Sequence, residues 1–235
     1  MQSIFQSLKP VFFVLVLGVL FSCKKDDTSK PTKPTSTTVT DIDGNTYNTV
    51  TIGNQVWMKE NLKVSKYRNG DSLISIKYGL SDSIWAITTN GAYAINYNDP
   101  AMNTIYGKLY NWYAVADSRC LCPVGWHVPS DAEWSTLENF LGGDSLAGGK
   151  MKEVSPLWAS PNTGATNSSG FSALPGGLRV FFGRLYFEGR YGYWWSSTEN
   201  SSTDAFGRFL SYESGFFFRN PDPKESGFSV RCLKD

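Results

Sequence analysis

From residue 39 onward, apolar and polar residues alternate over short segments, a pattern typical of β-strands with one buried face. The first two segments, "TVTI" and "QVWM", are separated by Gly53-Asn54, which predicts a two-residue hairpin loop. Further short strands, joined by Gly-rich turns, are predicted in "GFSALPGGLRV", "RLYFEGRYGYWWSS", "FGRFLSYES", "GFFFRN" and "GFSVRCLKD". The pattern therefore predicts a domain built largely from short strands.

Two segments have helical spacing instead, and the first is "YGKLYNWYAVAD". It places Leu109, Trp112, Tyr113 and Ala116 at positions i, i+3, i+4 and i+7. Side chains at this spacing lie on one face of an α-helix. We therefore expect a helix whose apolar face is formed by these four residues.

The second predicted helix follows Ser130. Glu133 lies three residues later, the capping-box arrangement in which each side chain bonds the backbone N–H of the other residue. Gly142-Gly143 is expected to end the helix. The apolar stripe between these signals consists of Trp134, Leu137 and Leu141. Two helices and a run of strands predict an α+β fold with long loops, in a single domain spanning residues 39–235.

The segment before this domain has the pattern of an export signal. Lys9 is followed by an apolar run from Val11 to Phe21, which is too short to span a bilayer comfortably. Ser22-Cys23 then resembles the bacterial lipobox. This resemblance implies a signal peptide over residues 1–22 and lipidation of Cys23, which attaches the mature chain to a membrane. The alternative is an ordinary secretory signal in which Cys23 is incidental.

Residues 23–38 are expected to form a lipidated tether. After Cys23 they carry charges, Thr, Ser and Pro but no large apolar side chain, so they cannot build a core. The start "CKKDD" resembles the charged export signals of surface lipoproteins of Bacteroidetes. We therefore expect the chain to be lipid-anchored in the outer membrane, with its domain facing the cell exterior.

Charge and composition narrow the classes of function. The chain has 22 Lys+Arg and 21 Asp+Glu, and Lys9 is the only one of these within the signal, so the remainder is neutral. A neutral chain argues against nucleic acid as a partner. An aromatic content of 15% and 22 glycines favour loop-rich β-structure over a helical bundle.

Residues 120–134, "CLCPVGWHVPSDAEW", combine residue types found at metal and catalytic sites. Cys120 and Cys122 form a C-x-C pair, whereas zinc sites use longer spacings and a second pair of ligands. The chain has one histidine, His127, and a Cys–His nucleophile would require thiol and imidazole to meet in space. In an exported protein the simpler expectation is a disulfide from either Cys120 or Cys122 to Cys232. We predict no catalytic residue, no metal ligand and no cofactor, and structural calcium is not indicated.

Several motifs together resemble the Fibrobacter succinogenes major paralogous domain family. They are "IGNQVWMKENL", "YGKLYNWYAVAD", "CPVGWHVPSDAEWSTLENFLGG", "GFSALPGGLR", "YWWSSTE" and "GFSVRCLKD", in order from about Asp41 to Asp235. The family occurs on secreted proteins and lipoproteins and has no settled biochemical activity. Its usual cysteines match Cys122 and Cys232, so the resemblance implies a disulfide between these two. It leaves Cys120 as an extra thiol or a competing partner.

A more distant resemblance is to the formylglycine-generating enzymes. The helix start "PSDAEW", a Trp-rich strand and the ending "GFSVRC" carry it, and it implies a C-type-lectin-like fold with short, mostly antiparallel strands. Those enzymes have a catalytic cysteine pair before the final motif, whereas "RFLSYESGFFFRNPDPKES" contains no cysteine. The "EPN", "QPD" and "WND" motifs with which calcium-dependent lectins hold sugar are also absent. The resemblance therefore implies the fold and not the chemistry.

These observations favour a non-catalytic, lectin-like binding module for a glycan or a protein ligand. Aromatic rings offer apolar faces on which sugars stack, and "RYGYWWSSTEN" is the richest stretch. Tyr191, Tyr193 and Trp194 are the predicted ligand-binding residues, although alternating aromatics in a strand are more often core, Trp195 above all. The alternatives are a structural or adhesive component of a surface assembly and an uncharacterised enzyme. One compact cluster of exposed rings would favour ligand binding, and a broad flat patch would favour assembly.

Overall fold

The computed structural model describes residues 38–79 and 81–235. The predicted signal peptide (residues 1–22), the lipidation site Cys23 and the tether up to residue 37 lie outside the described residues. None of the described helices is long and apolar enough to cross a membrane.

Strands and helices are interspersed along the described residues. The strands are β1 (Thr38–Thr40), β2 (Thr46–Ile52), β3 (Gln55–Met58), β4 (Ile74–Ser75), β5 (Ala92–Ala94), β6 (Leu109–Tyr110), β7 (Trp126–His127), β8 (Leu178–Arg179), β9 (Leu185–Tyr186), β10 (Tyr191–Glu199), β11 (Asp204–Ser211), β12 (Phe217–Pro223) and β13 (Leu233–Lys234). The α-helices are α1 (Asp82–Ile87), α2 (Pro100–Tyr106), α3 (Trp112–Val115), α4 (Asp131–Phe140) and α5 (Asp144–Met151), with a 3₁₀ turn over Asn96–Asn98. Among the described strands only β4 and β5 pair in parallel, so the predicted mixed α+β class with mostly antiparallel strands is confirmed.

A five-stranded sheet brings the last strand of the chain next to the first ones. Its order is β1-β2-β3-β13-β7, and each neighbouring pair is antiparallel. The last strand, β13, lies between β3 and β7, where Leu233 pairs with both Trp57 and His127. The β2–β3 hairpin turns at Gly53-Asn54, as predicted.

A three-stranded sheet, β10-β11-β12, has two different faces. Its strands are antiparallel, and Tyr193, Phe209 and Phe218 lie opposite one another in the register. Side chains alternate along a strand, so the neighbouring residues Trp194 and Leu210 point the other way. There they join a buried cluster with the side chains of α4 and α5.

The predicted disulfide between Cys122 and Cys232 is confirmed. The two Cα atoms are 6.0 Å apart, and both residues belong to a buried cluster that also contains Trp195 and Phe228. The bond ties the segment after α3 to the C-terminal end of the chain. Cys120 is not a free thiol in the structure, so of the two alternatives for Cys120 the extra thiol is wrong.

The first predicted helix is shorter than expected and its apolar face differs. Leu109 belongs to β6, which pairs with β5, and α3 begins only after Asn111. The buried residues of this helix are Trp112, Ala114 and Val115, whereas Ala116 is exposed. Strand pairing with β5 overrode the helical spacing of the sequence, as tertiary contacts often do.

The second predicted helix is confirmed as α4. The hydroxyl of Ser130 accepts a hydrogen bond from the N–H of Glu133 at 3.3 Å, and the Glu133 carboxylate accepts one from the N–H of Ser130 at 2.9 Å. Gly142 and Gly143 follow the helix with positive φ. The predicted stripe is buried, with Trp134 and Leu137 at 0% exposure and Leu141 at 5%.

The helices α1, α2 and α5 were not expected from the sequence. The helix α5 contains Gly148 and Gly149, and paired glycines have low helix propensity, so the sequence did not indicate a helix here. A Cβ at Gly148 would approach the carbonyl oxygen of Phe216 to 2.3 Å, and one at Gly149 would approach that of Gly164 to 2.3 Å. The helix packs backbone to backbone against these loops, so tertiary packing stabilises it where local propensity does not.

Candidate functional site: an aromatic strip

The three predicted ligand-binding residues do not lie together. Tyr191 and Tyr193 are half-buried on one face of β10, with ring centroids 6.0 Å apart. Trp194 points to the other face, is 0% exposed, and donates from Nε1 to Oδ1 of Asn61 at 2.9 Å. The prediction for Trp194 is therefore wrong, because strand alternation turns its side chain into the core. Trp195 is also fully buried, as expected.

Tryptophan does not contribute to any exposed surface of this protein. All eight tryptophans are buried: Trp57, Trp85, Trp112, Trp126, Trp134, Trp158, Trp194 and Trp195. Sugars stack on open ring faces, and no tryptophan offers one here. The rings that reach solvent belong to Phe and Tyr.

Nine of these Phe and Tyr rings form a continuous surface, which we call the aromatic strip. It consists, in spatial order, of Phe181, Phe182, Tyr186, Phe187, Tyr191, Tyr193, Phe209, Phe218 and Phe216. Consecutive ring centroids are 4.6 to 6.4 Å apart. Five of the nine residues are exposed, from 39% for Tyr186 to 49% for Phe181. Contiguous exposed apolar surfaces on soluble domains mark interaction sites.

The rings on the three-stranded sheet stand side by side as a ladder. Phe209 has Tyr193 on one side, at 5.3 Å and 28° between ring planes, and Phe218 on the other, at 4.6 Å and 9°. Two coplanar rings placed edge to edge cannot come so close, so these rings overlap face to face. A neighbouring ring is therefore stacked against each face of Phe209, which leaves less of either face open to a ligand.

A buried arginine fixes the β8–β9 hairpin that carries the first rings of the strip. The Nε of Arg179 donates to the carbonyl oxygen of Gly183 at 2.7 Å, and Nη2 pairs with Oδ1 of Asp82 at 2.9 Å. Its guanidinium also lies 4.3 Å from the ring of Trp85. Gly183 has φ +98°, and a Cβ there would lie 2.5 Å from the carbonyl oxygen of Asp82. The hairpin turn is thus held against α1, with Phe181 and Phe182 exposed on it.

One carboxylate borders the strip without a partner. Asp222 on β12 is half-buried, and no residue in the described part of the chain gives its carboxylate a hydrogen bond or an ion pair. Burial, together with the charge of Asp204, raises its pKa from 3.8 to about 6. Burial and the nearby charge of Asp222 raise the pKa of Tyr193. Asp222 therefore lies close to the ladder as a polar group with its hydrogen-bonding capacity unused.

The reactive residue types of the segment 120–134 make structural contacts. His127 lies between two carboxylates, with Nδ1 2.6 Å from Oδ1 of Asp235 and Nε2 3.1 Å from Oε1 of Glu133. Cys122 is held in its disulfide, so it provides no thiol to the imidazole. Within residues 38–79 and 81–235, no group of three or more His, Cys, Asp or Glu is arranged to hold a metal ion. The segment is held in place by the Cys122–Cys232 disulfide and by the capping box at the start of α4.

Sequence reasoning missed most of the strip. Its exposed members outside the predicted stretch are Phe181, Phe182, Tyr186, Phe187 and Phe216. The sequence feature that indicates these rings is the density of aromatic residues, since residues 181–195 contain eight aromatic side chains. Density alone does not separate exposed rings from buried ones, because exposure depends on which face of the paired strands each ring occupies.

Comparison with known proteins gives one match. A family model described as the Fibrobacter succinogenes major domain matches residues 50–234. No curated protein and no solved structure matches the chain. The match includes every residue of the aromatic strip and both cysteines of the disulfide.

Proposed function

This chain belongs to the Fibrobacter succinogenes major domain family, and from that premise we propose that it is a non-catalytic module that binds a macromolecular partner at the cell surface. The aromatic strip is the observation that carries the proposal. Lipid attachment at Cys23, residence in the outer membrane and display toward the exterior are parts of the same proposal and rest on the pattern of residues 1–38. The C-type-lectin-like assignment of the fold is a further part and rests on the motifs given above.

The geometry of the ladder favours a protein over a glycan as the partner. Sugars stack on ring faces, and Tyr193 and Phe218 are stacked against the two faces of Phe209. Ring edges pack well against aliphatic and aromatic side chains, as they do in protein interiors and interface cores. The strip is also long and crosses several elements, which favours a broad contact such as a component of a surface assembly makes.

A glycan remains the second candidate because the hairpin rings are arranged differently. The planes of Phe181 and Phe182 meet at 89°, and those of Phe182 and Tyr186 at 74°. Rings in edge-to-face contact leave faces uncovered, and Phe182 is 46% exposed. A sugar unit would stack at this end of the strip rather than on the ladder.

Binding of the full chain to isolated outer membranes tests the proposal. The membranes come from cells that lack the protein, and the chain is compared with the double variant Phe182→Ser/Phe187→Ser. Both side chains are about half-exposed, so the variant is expected to fold normally. The control is Val124→Ser/Phe140→Ser, which removes two exposed apolar side chains outside the strip, at 74% and 63% exposure. All versions keep the same N-terminus, so any lipid insertion contributes equally.

We expect saturable binding that the strip variant weakens by about tenfold or more, since truncating two central contacts removes on the order of 1.4 kcal/mol or more. The control variant should bind like the natural chain. Protease treatment of the membranes should abolish binding if the partner is a protein, and periodate oxidation should abolish it if the partner is a glycan. Equal binding by the strip variant and the natural chain would contradict the proposal.

A further inference from the structure

A cavity of about 280 Å³ lies apart from the aromatic strip. Its lining residues are Lys59, Glu60, Asn61, Ile105, Glu153, Ser172, Leu174 and Arg231. Most of them come from three segments distant in sequence: "MKENL", "GFSALPGG" and "GFSVRC". Three of the motifs that identify this chain therefore meet at one cavity.

Arg231 is the buried cation of this cavity. It is 1% exposed, and its Nη2 donates to Oδ1 of Asn61 at 2.8 Å while Nη1 donates to the carbonyl oxygen of Phe171. No carboxylate of the described residues lies within ion-pair distance of its guanidinium. Burial lowers its pKa to about 9. Buried charges are normally paired, and this one retains unused N–H donors.

Two carboxylates line the same cavity and are held by amides instead of cations. Glu60 accepts hydrogen bonds from N and Nδ2 of Asn48, both at 2.8 Å. Glu153 accepts one from Nδ2 of Asn167 at 2.7 Å. The same Asn167 amide also bonds Oγ of Ser172 at 3.0 Å, so two of the lining residues are fixed by one side chain.

The charges of the cavity are balanced but unpaired. Lys59 and Arg231 are cationic, Glu60 and Glu153 are anionic, and none of these four residues forms an ion pair with another or with any other described residue. A ligand with a single charge would satisfy one sign and be repelled by the other. A ligand with both signs would satisfy both, since a carboxylate matches the guanidinium fork and an ammonium matches the carboxylates.

We propose that this cavity binds a small zwitterion carrying one carboxylate and one ammonium group, the chemistry of a free α-amino acid. The ligand carboxylate pairs with Arg231, and its ammonium pairs with Glu153 and Glu60. Ile105 and Leu174 provide apolar surface for the rest of the ligand. The volume of about 280 Å³ admits a molecule of this size.

Calorimetric titration of the full chain with each of the twenty common L-amino acids tests the inference. Acetate and methylammonium serve as probes that carry one charge each. We expect at least one amino acid to bind saturably below about 10 mM, with each single-charge probe at least about tenfold weaker. No binding by any of the twenty, or acetate binding as tightly as the best amino acid, overturns the proposal.

A matched pair of variants tests whether an amino acid binds in this cavity or at another acidic site. Glu153→Gln removes the negative charge but keeps an oxygen that can accept the hydrogen bond from Asn167, so the variant should fold. A substitution of the buried Arg231 would carry a greater risk of unfolding the protein. It should weaken amino-acid binding by about tenfold or more, because a charged hydrogen bond is lost. Glu213→Gln, at an exposed acid outside the cavity, should leave binding unchanged. Unchanged binding in Glu153→Gln would also overturn the proposal.

Discussion

Asp222 keeps a half-buried carboxylate beside Tyr193 without an ion pair or a hydrogen bond from any described residue. Burial and the charge of Asp204 raise its pKa from 3.8 to about 6. An acid with a raised pKa in the folded state destabilises the fold above that pKa, and the penalty disappears as the pH falls below the unfolded value. Residues retained at the expense of stability are typical of binding surfaces.

Replacing Asp222 with Asn should therefore stabilise the protein in a pH-dependent way. We expect Asp222→Asn to raise the free energy of unfolding by about 1–2 kcal/mol at about pH 8, a value reduced for the partial exposure of the carboxylate. At about pH 3 the variant and the natural chain should be equally stable, because the carboxyl is protonated in both states. Denaturant titration at the two pH values measures this. A loss of stability at pH 8 would show that Asp222 has a stabilising contact.

His127 links the C-terminal Asp235 to the start of α4. Burial alone would lower the pKa of His127, but hydrogen bonds to Glu133 and Asp235 outweigh it and raise the pKa above 6.5. Burial alone would raise the pKa of Glu133, but hydrogen bonds from His127 and Ser130 outweigh it and hold the pKa at about 2. Protonated His127 therefore stabilises the fold fully below pH 6.5 and less as the pH rises through its folded pKa. Ionised Glu133 stabilises it above pH 4.5, and this is lost as the pH falls toward 2.

The two contributions are both present between pH 4.5 and 6.5. We predict that His127→Asn lowers the free energy of unfolding by about 1–2 kcal/mol at about pH 5.5. The loss should be smaller at about pH 9, because the charge-dependent part disappears as the pH rises through the folded pKa of His127. Thermal or denaturant unfolding at each pH measures the difference. An equal loss at both pH values would mean that charge on His127 does not contribute.

At the scale of elements, Lys152 joins the end of α5 to the loop at Thr163 and to the end of β11 with the turn that follows it. Its side chain is buried, and Nζ donates to the carbonyl oxygens of Thr163, Ser211 and Ser214, each at 2.8 Å. Methionine has a similar shape but no donor, so Lys152→Met would leave three buried carbonyls without this partner. We expect a loss of about 2–4 kcal/mol in the free energy of unfolding.

The control for this prediction is Lys77→Met, at an exposed lysine. It should change stability by no more than about 0.5 kcal/mol. Chemical denaturation of both variants gives the comparison. Similar small effects in both would show that water replaces the ammonium of Lys152 without penalty.

Elements defined by local signals were predictable from the sequence, and elements defined by long-range packing were not. Two elements depend only on neighbours within a few residues: the capping box of Ser130 and Glu133 and the hairpin at Gly53-Asn54. Their sequence patterns were therefore enough to predict them. The helix α5 was missed because Gly148 and Gly149 are needed for its approach to distant loop backbones. The aromatic strip was found in part through Tyr191 and Tyr193, since the face that each ring occupies follows from strand register and not from composition.

At the scale of the whole molecule, buried cations hold a loop-rich domain together. Loops leave many backbone carbonyls without a partner in a helix or sheet, and buried carbonyls require one. The side chains of Lys152, Arg179, Arg208, Lys224 and Arg231 are buried, and each donates to at least one backbone carbonyl. With the Cys122–Cys232 disulfide they fix the loops that surround the sheets, and so they present the hairpin rings in a defined arrangement.

Photo-crosslinking in the cells that make this protein detects contact between the aromatic strip and a macromolecular partner. The photoreactive residue p-benzoylphenylalanine replaces Phe187 within the strip or, as a control, Phe140 outside it; both rings are exposed, at 45% and 63%. We expect a discrete crosslinked protein species from position 187 that is absent from position 140. No crosslinked species at position 187, or the same species from both positions, would show that the aromatic strip does not bind a protein partner.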